Sequence, residues 1–281
     1  MRTSKFLATT FVILSLQAHV LGQNFKFLKD PDGLREISSI NGFDIPVEIK
    51  VVYDNYVKVD GLKSDWGYSI VIEGLDKVIL FDTGANPDIF ESNFKIMGIN
   101  PKKIDLLILS HEHGDHTAGI PAFVKLHKDI PVIIPGSFSE SFKKKLVEFG
   151  LEPLLVKEPV KICTNLYSSG EFSGPIPEQA LILNTKQGLV VMTGCSHSGI
   201  VEMLKEIKST FNKDIYMVFG GFHLLDKSDN KMDKIIDGMK ALGVVKCGAT
   251  HCTGVKQTQM IKDAYGINFF ELGVGNNIVI N

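Results

Sequence analysis

The segment Leu107–Ile120, LILSHEHGDHTAGI, places His111, His113 and His116 within six residues, with Asp115 among them. The whole chain has eight histidines, and neither a packed core nor a solvent face requires three of them in one place. The run in front, IDLLILS, is apolar and of strand length, and the run behind, TAGIPAFVKLH, reads as a helix. The cluster therefore sits on a loop leaving a strand. Imidazole nitrogens and a carboxylate are donors that zinc prefers and that iron and manganese accept. His111 and His113, one residue apart, can bind one ion together, while Asp115 and His116 can turn toward a second. Gly114 is expected to let the loop fold tightly, because no Cβ restricts its backbone. The competing reading, polar residues that merely cap the next helix, suits one histidine and not three with an aspartate.

Elsewhere, apolar runs of strand length recur and end in small polar groups. KVILFDTG runs into Asp82, Thr83 and Gly84, GLVVMTGCSH into Cys195 and His197, DIYMVFGGFH into His223, and VVKCGATHCTG into His251 and Cys252. β-Branched residues and flanking glycines favour strands in each case. Helical spacing appears between them. Ile200, Leu204, Ile207 and Phe211 share one face, as do Met232, Ile235, Ile236, Met239 and Leu242. Ser139 opens a further helix through Phe142, Leu146 and Phe149, which Gly150 stops. The amino-terminal third shows strand alternation (PVEIKVVYDNY, GYSIVIEG) and few helix signals. Strands first, then strands alternating with helices, predict one α/β domain of two sheets covered outside by helices. Strand ends are where such a scaffold holds loop side chains at fixed positions.

The amino terminus, MRTSKFLATTFVILSLQAHVLGQ, has Arg2 and Lys5, an apolar run from Phe6 to Leu16, and small residues around Val20 and Gly22. This is the pattern of a secretory signal peptide over residues 1–22, cut near Gly22–Gln23, ahead of a domain over 23–281. The apolar run is short for a spanning helix and no cysteine follows to take a lipid, so no stable membrane anchor is expected after cleavage. An exported protein, periplasmic or secreted, follows from that reading. The formal net charge is −2, and loss of Arg2 and Lys5 takes it to −4. That balance does not favour a nucleic-acid partner. Cys163, Cys195, Cys247 and Cys252 lack the spacing of a disulfide scaffold.

SHEHGDH matches the His-x-His-x-Asp-His signature of the metallo-β-lactamase superfamily, and ILFDTG upstream matches its first motif. GLVVMTGCSHSGIV, VFGGFHLL, THCTG, YDN at Tyr53–Asn55 and EQAL at Glu178–Leu181 resemble the subgroup typified by archaeal dihydropterin–ribofuranosylaminobenzene phosphate synthase. The resemblance implies an αββα sandwich, two mixed sheets flanked by helices, with a one- or two-metal site at one edge. It puts His111 and His113 on ligands of a first metal, Asp115 and His116 on those of a second, and His251 on a late second-metal ligand. Asp82 falls on an aspartate that orders the loop as an acceptor behind the ligands. The chain departs from the superfamily in the middle. Relatives carry a separate histidine on one strand and a bridging aspartate on the next. Here Cys195 stands where that aspartate comes, and no histidine occurs between His127 and His197. His197 is assigned to the vacant first-metal position. Cys195 is the lesser candidate, although a thiolate suits zinc. The expected cofactor is Zn2+, one or two per chain, with iron or manganese as alternatives.

A metal-dependent hydrolase of a small-molecule substrate is the expected function. A metal with an open position lowers the pKa of bound water from about 15.7 to near 7, and the resulting hydroxide can attack an ester, lactone, phosphodiester or amide. Asp115 can orient that group and take its proton, and His223 is expected to protonate the leaving group. His223 can also be a ligand or a satisfied core histidine. The glycines before it, its strand order and a proton-transfer histidine at a similar place in ribonuclease-like members favour the first role. Cys252, Thr253 and Gly254 either start a helix, with Thr253 as its cap, or offer free amides to an anionic substrate group. Trp66 and Phe222 are candidate pocket walls, and His127 reads as a surface residue of a helix. The subgroup's namesake is a transferase joining a pterin to an aryl ribosyl phosphate with loss of pyrophosphate, substrates an exported chain would not meet. That transferase, an iron-dependent redox enzyme and a non-catalytic zinc-binding protein are the alternatives. β-Lactam cleavage is disfavoured by the altered middle motifs.

The leader is tested by fusing residues 1–25 to a reporter active only outside the cytoplasm. The fusion should give signal and a mature terminus near Gln23. Retention of Met1–Leu16 in a membrane fraction would contradict the reading.

Overall fold

The computed structural model describes residues 17–20, 23–29 and 46–281. Of the leader read at residues 1–22, only Gln17–Val20 is among them, and the rest of it lies outside the described residues.

Alternation of apolar side chains along short strands builds two sheets. The first contains β1 (Gln17–Val20), β2 (Gln23–Phe27), β3 (Val47–Tyr53), β4 (Ser69–Glu73), β5 (Ile79–Phe81), β6 (Leu106–Ile108), β7 (Pro131–Pro135) and β8 (Glu152–Val156). The second contains β9 (Val160–Cys163), β10 (Leu166–Ser168), β11 (Leu181–Asn184), β12 (Leu189–Thr193), β13 (Ile215–Gly221) and β14 (Lys246–Thr250), and β15 (Asn277–Ile280) returns to the first. The spatial orders are β1-β2-β8-β7-β6-β5-β4-β3-β15 and β14-β13-β12-β11-β10-β9. Among the described residues β1 pairs with β2 alone at the sheet edge, so removal of a leader ending at residue 22 would leave β2 as the edge strand.

Three apolar layers follow from the two-residue period of the strands. Val190 and Met192 of β12 point to the other sheet, where they meet a core containing Ile70, Phe81 and Phe219. Leu189 and Val191 point outward, under α5 (Ile200–Phe211) and α6 (Asp229–Ala241), with α7 (Val255–Tyr265) beside them. On the far side, α1 (Pro87–Ile96), α3 (Ile120–Leu126) and α4 (Glu140–Glu148) cover the first sheet through Phe90, Phe94, Phe123 and Leu146. The four-residue α2 (Gly114–Thr117) lies in the histidine loop. The architecture is therefore αββα, as the sequence resemblance implies. Each fully buried Phe or Ile in these layers contributes about 1.5–3 kcal/mol relative to exposure. Among the described residues no helix is long and apolar enough to cross a membrane.

The helix signals read from the sequence hold for α4, where Ser139 Oγ accepts the Phe142 N–H at 3.2 Å and Gly150 follows at φ +80°. One signal in the amino-terminal third went unread. Asn86-Pro87-Asp88 starts α1, with Asn86 Oδ1 accepting the N–H groups of Asp88 and Ile89. Thr253 does not cap α7; its hydroxyl instead accepts the Phe222 N–H, and Gly254 stands at the helix start. His127 ends α3 half-buried, with its Nε2 3.1 Å from the Ile104 carbonyl.

What positions the site is the way strands of both sheets end at one edge. β5 runs parallel to β6, and β12, β13 and β14 run parallel to one another, so each group brings its carboxyl ends together. The two sets of ends touch at Gly194. A Cβ there would lie 2.2 Å from Ser110 Oγ and 3.2 Å from Asp82 Oδ2. Gly114, by contrast, has open space where a Cβ would stand and no positive φ, so the tight-loop role expected of it is not needed. The loop is closed instead by Gly119, whose Cβ would lie 2.0 Å from the Thr83 carbonyl oxygen.

Gly194→Ala should therefore destabilise the fold by about 1–3 kcal/mol in denaturant melts, the usual cost of overpacking. An unchanged melt would show slack between the strand ends that these distances do not contain.

Candidate metal centre

Each side chain of the site leaves a strand end. His111, His113, Asp115 and His116 follow β6, Cys195 and His197 follow β12, His223 follows β13, and His251 and Cys252 follow β14. Asp82 follows β5, and Asp54 and Asn55 follow β3. Asp82, Ser196, His223 and His251 all adopt positive φ between 46° and 64° without being glycine. Such backbone is strained by Cβ contacts and persists where the surroundings over-determine it.

The ring nitrogens that face away from the centre are tied down. His116 Nδ1 donates to Asp82 Oδ2 at 2.7 Å. His111 Nδ1 lies 2.9 Å from Ser110 Oγ, which donates in turn to Asp82 Oδ2 at 2.7 Å. Asp82 Oδ1 accepts the Ser110 N–H at 2.7 Å. His251 Nδ1 lies 2.9 Å from Asn55 Oδ1, and Asn55 Nδ2 donates back to the His251 carbonyl at 3.2 Å. Asn55 itself follows Asp54, whose buried carboxylate takes the Thr250 hydroxyl at 2.8 Å. With the outer nitrogens acting as donors, the inner Nε2 atoms of His111, His116 and His251 face a common space, and a cation there would displace the proton that Asp82 favours on His116.

The inner atoms are spaced as ligands of a cation. His111 Nε2 and His197 Nε2 are 3.3 Å apart, and His116 Nε2 and His251 Nε2 are 3.2 Å apart. Nitrogens held tetrahedrally at about 2.0–2.1 Å from zinc lie roughly 3.3 Å from one another. Asp115 Oδ2 is 3.3 Å from His251 Nε2 and 3.6 Å from His116 Nε2. Cys195 Sγ is 3.1 Å from His116 Nε2. Ligand atoms within 4.8 Å of one another form the groups Asp115–His116–Cys195–His251, His111–Cys195–His197 and His111–His113–Asp115. The His113 ring stands 4.7 Å from that of His111 and 4.8 Å from that of His197. The donor set therefore fits two neighbouring cations, and the sulfur of Cys195 belongs to both clusters. The sequence ranks Cys195 below His197; the geometry brings both in, His197 toward His111 and Cys195 between the two groups.

The electrostatics agree with a site completed by cations. Burial, reinforced by His116, His197 and other rings, holds the His111 imidazole well below its ordinary value. Burial, with His223 and His113 adding to it, pushes His197 down to about 3, so both rings are neutral and free to ligate at pH 7. Burial alone would raise Asp115, but the His251 hydrogen bond and the His116 and His251 charges overcome it and keep the carboxyl well below the carboxylate range. Burial, with the Cys252 sulfur beside it, holds the Cys195 thiol well above its ordinary value. A cation in contact offsets that cost and deprotonates the thiol.

His223 is exposed at the rim, its ring 4.2 Å from that of His197, and with Cys195 and Cys252 it forms a further close group. Its backbone N–H donates to Cys252 Sγ at 3.3 Å. Trp66, 45 % exposed, donates its indole N–H to Asp115 Oδ2 at 3.0 Å and stands 5.2 Å from the His251 ring. Phe222 is buried beneath α5 and α6 and forms no pocket wall. Among positions the sequence reading gave no role, Glu112 accepts the Ser139 N–H at 2.7 Å and pins the histidine loop to the start of α4. Glu178 accepts the Ser198 N–H at 2.6 Å beside His197. Only the quoted YDN and EQAL segments pointed toward Asn55 and Glu178.

A sequence model described as the metallo-beta-lactamase superfamily matches residues 67–199. The chain is 31 % identical over 264 residues to 7,8-dihydropterin-6-methyl-4-(beta-D-ribofuranosyl)-aminobenzene-5'-phosphate synthase of Methanocaldococcus jannaschii, covering 76 % of this chain and 90 % of that one. A solved structure, a metal-dependent hydrolase of the β-lactamase superfamily, aligns with TM-score 0.70 and 27 % identity over 83 % of this chain and 98 % of its own. The metallo-beta-lactamase fold protein YhfI from Bacillus subtilis aligns with TM-score 0.63 over 84 % and 100 %, at 16 % identity that speaks for the fold alone. Taken with the paired ligand clusters at the strand ends, these matches show that the chain belongs to the metallo-β-lactamase superfamily.

Proposed function

We propose that the chain is an exported zinc-dependent hydrolase of a small ester, lactone, phosphodiester or amide. The observation that carries this reading is the pair of ligand clusters sharing Cys195, with an exposed imidazole, His223, at their rim. His111, His113 and His197 would hold one cation and Asp115, His116 and His251 the other, with Cys195 between them. Such ions, when bound, supply an activated water and polarise a substrate oxygen. The residues of the chain do the rest. Asp115 Oδ2, steadied by the Trp66 indole N–H, orients the attacking water and takes its proton. The His223 imidazole gives a proton to the leaving group, assistance typically worth about 10² to 10⁴ in rate. The alignment with a metal-dependent hydrolase of the β-lactamase superfamily supports this reading, and export is carried by the leader pattern.

A second reading has one specific support, the 31 % identity to a relative named a synthase over 90 % of that relative's length. It would use the same residues to bind a pterin diphosphate and an aminobenzene riboside phosphate for joining, with pyrophosphate as the leaving group. The two readings part on simple substrates, which a synthase of that kind has no reason to cleave.

The zinc-loaded mature protein should hydrolyse at least one member of a panel spanning the four substrate classes, lose that activity to a chelator and regain it with zinc. His223→Ala should keep its metal content and lose most of its turnover, with a smaller loss for substrates that have good leaving groups. No turnover on the panel, with product and pyrophosphate formed from a pterin diphosphate and an aminobenzene riboside phosphate, would replace the hydrolase with the synthase. Loss of metal from His223→Ala would make His223 a ligand.

A further inference from the structure

The segment Glu178–Gln179 lies just before β11 and touches both loops that carry the first cation's ligands. Gln179 donates its backbone N–H to the Ser110 carbonyl at 2.9 Å, one residue before His111. Its side-chain Nε2 donates to the Leu109 carbonyl at 2.9 Å, and its Oε1 accepts the Ser168 hydroxyl at 2.6 Å. Glu178 Oε1 accepts the Ser198 N–H at 2.6 Å, one residue after His197. His111 and His197, held by these two neighbours, approach to 3.3 Å between their Nε2 atoms.

The chemistry of Glu178 is not that of a packing residue. Its side chain is buried, and Oε2 has no hydrogen-bond partner. A buried carboxylate oxygen without a partner costs free energy that an apolar side chain of similar size would not. What the carboxyl group supplies instead is an acceptor oxygen for the backbone of the His197 turn. That turn needs one, because Ser196 sits at φ +62° and Gly199, which precedes α5, supplies no side-chain cap. Ser196 Oγ holds the other flank by donating to the Gly221 carbonyl at 2.9 Å. From Phe172, whose N–H donates to the Glu178 carbonyl at 2.8 Å, to Gly174, which stands against Ser198, the preceding loop backs the same turn.

We propose that Glu178 and Gln179 form a positioning clamp that sets the separation of His111 and His197, so that Glu178 governs the affinity of the first metal position. This rests on the reading of His111 and His197 as ligands of one cation. Glu178 touches neither substrate nor metal. It acts through the backbone of the turn that presents His197, the device the chain needs because this ligand stands on a different loop from His111 and His113.

The test is zinc affinity of the full mature protein, measured by competition with a chromophoric chelator. His197→Ala marks the first position and His251→Ala the second. Glu178→Ala should weaken the first position by about 10- to 100-fold, the usual effect of removing a group that orients a ligand, and should leave the second nearly unchanged. Glu178→Gln, which keeps an acceptor oxygen, should recover most of the loss. If His197→Ala weakens binding and Glu178→Ala does not, the clamp is wrong and the ligand reading stands. If His197→Ala leaves both affinities unchanged, the ligand reading fails and takes the clamp with it. Equal loss at both positions in Glu178→Ala and Glu178→Gln, with a lowered melting temperature, would make Glu178 a structural residue only.

Discussion

Asp82 is wholly buried at the end of a three-residue strand, and its two oxygens take three donors. Two come from Ser110, backbone and hydroxyl, and the third is the outer nitrogen of His116. An ionised carboxylate taken out of water costs several kcal/mol unless its lone pairs are filled, so this loop has few other arrangements open to it. The same bonds fix both histidines electronically: Ser110 relays the carboxylate to His111, and His116 meets it directly. One buried acid thereby orients a histidine of each cluster, and the two clusters cannot be moved independently.

Around that anchor, rigidity is borrowed from the sheets. Parallel strands deliver their carboxyl ends to one edge, and the chain turns sharply there at Ser196, His223 and His251, each held in left-handed backbone. A bulge in β3 contributes from the other side. The register shifts between Val51 and Tyr53, so Val52 and Tyr53 both face the outer layer. Tyr53 then fills the space beside Gly84, where a Cβ would come within 2.4 Å of its ring, and its hydroxyl accepts the Asn86 N–H. Asp54 and Asn55, the next two residues, reach Thr250 and His251. Strain and close contact at these ends are therefore the cost of placing candidate ligands from three separate strands within a few ångströms.

Much of this was legible in the sequence, for a physical reason. Ligands of the His-x-His-x-Asp-His type lie on one short loop, so their spacing along the chain is nearly their spacing in space. The strands before them are apolar on both faces because helices or a second sheet cover both faces, and that shows as continuous apolar runs. His251, His197 and Asp82 came from the resemblance, not from periodicity. The contributions that escaped are those with no local pattern. Asn55 meets His251 across 196 residues, and Ser110, Glu112 and Gln179 act through backbone groups whose partners only the fold reveals. The sequence ranks Cys195 below His197, and its place between the two clusters shows only in the fold. Gly114 was overrated because a glycine in a ligand loop invites a conformational explanation that its backbone does not need.

Cys195 is the residue that sets this centre apart, since its sulfur lies within ligand range of both clusters, as the Asp115 carboxylate also does. X-ray absorption at the zinc edge of the loaded protein measures that sulfur directly. The account predicts a sulfur shell at about 2.3 Å beside nitrogen and oxygen at about 2.0–2.1 Å, with the sulfur shell lost in Cys195→Ser. A wild-type spectrum with nitrogen and oxygen alone, or a sulfur shell that survives Cys195→Ser, would contradict it.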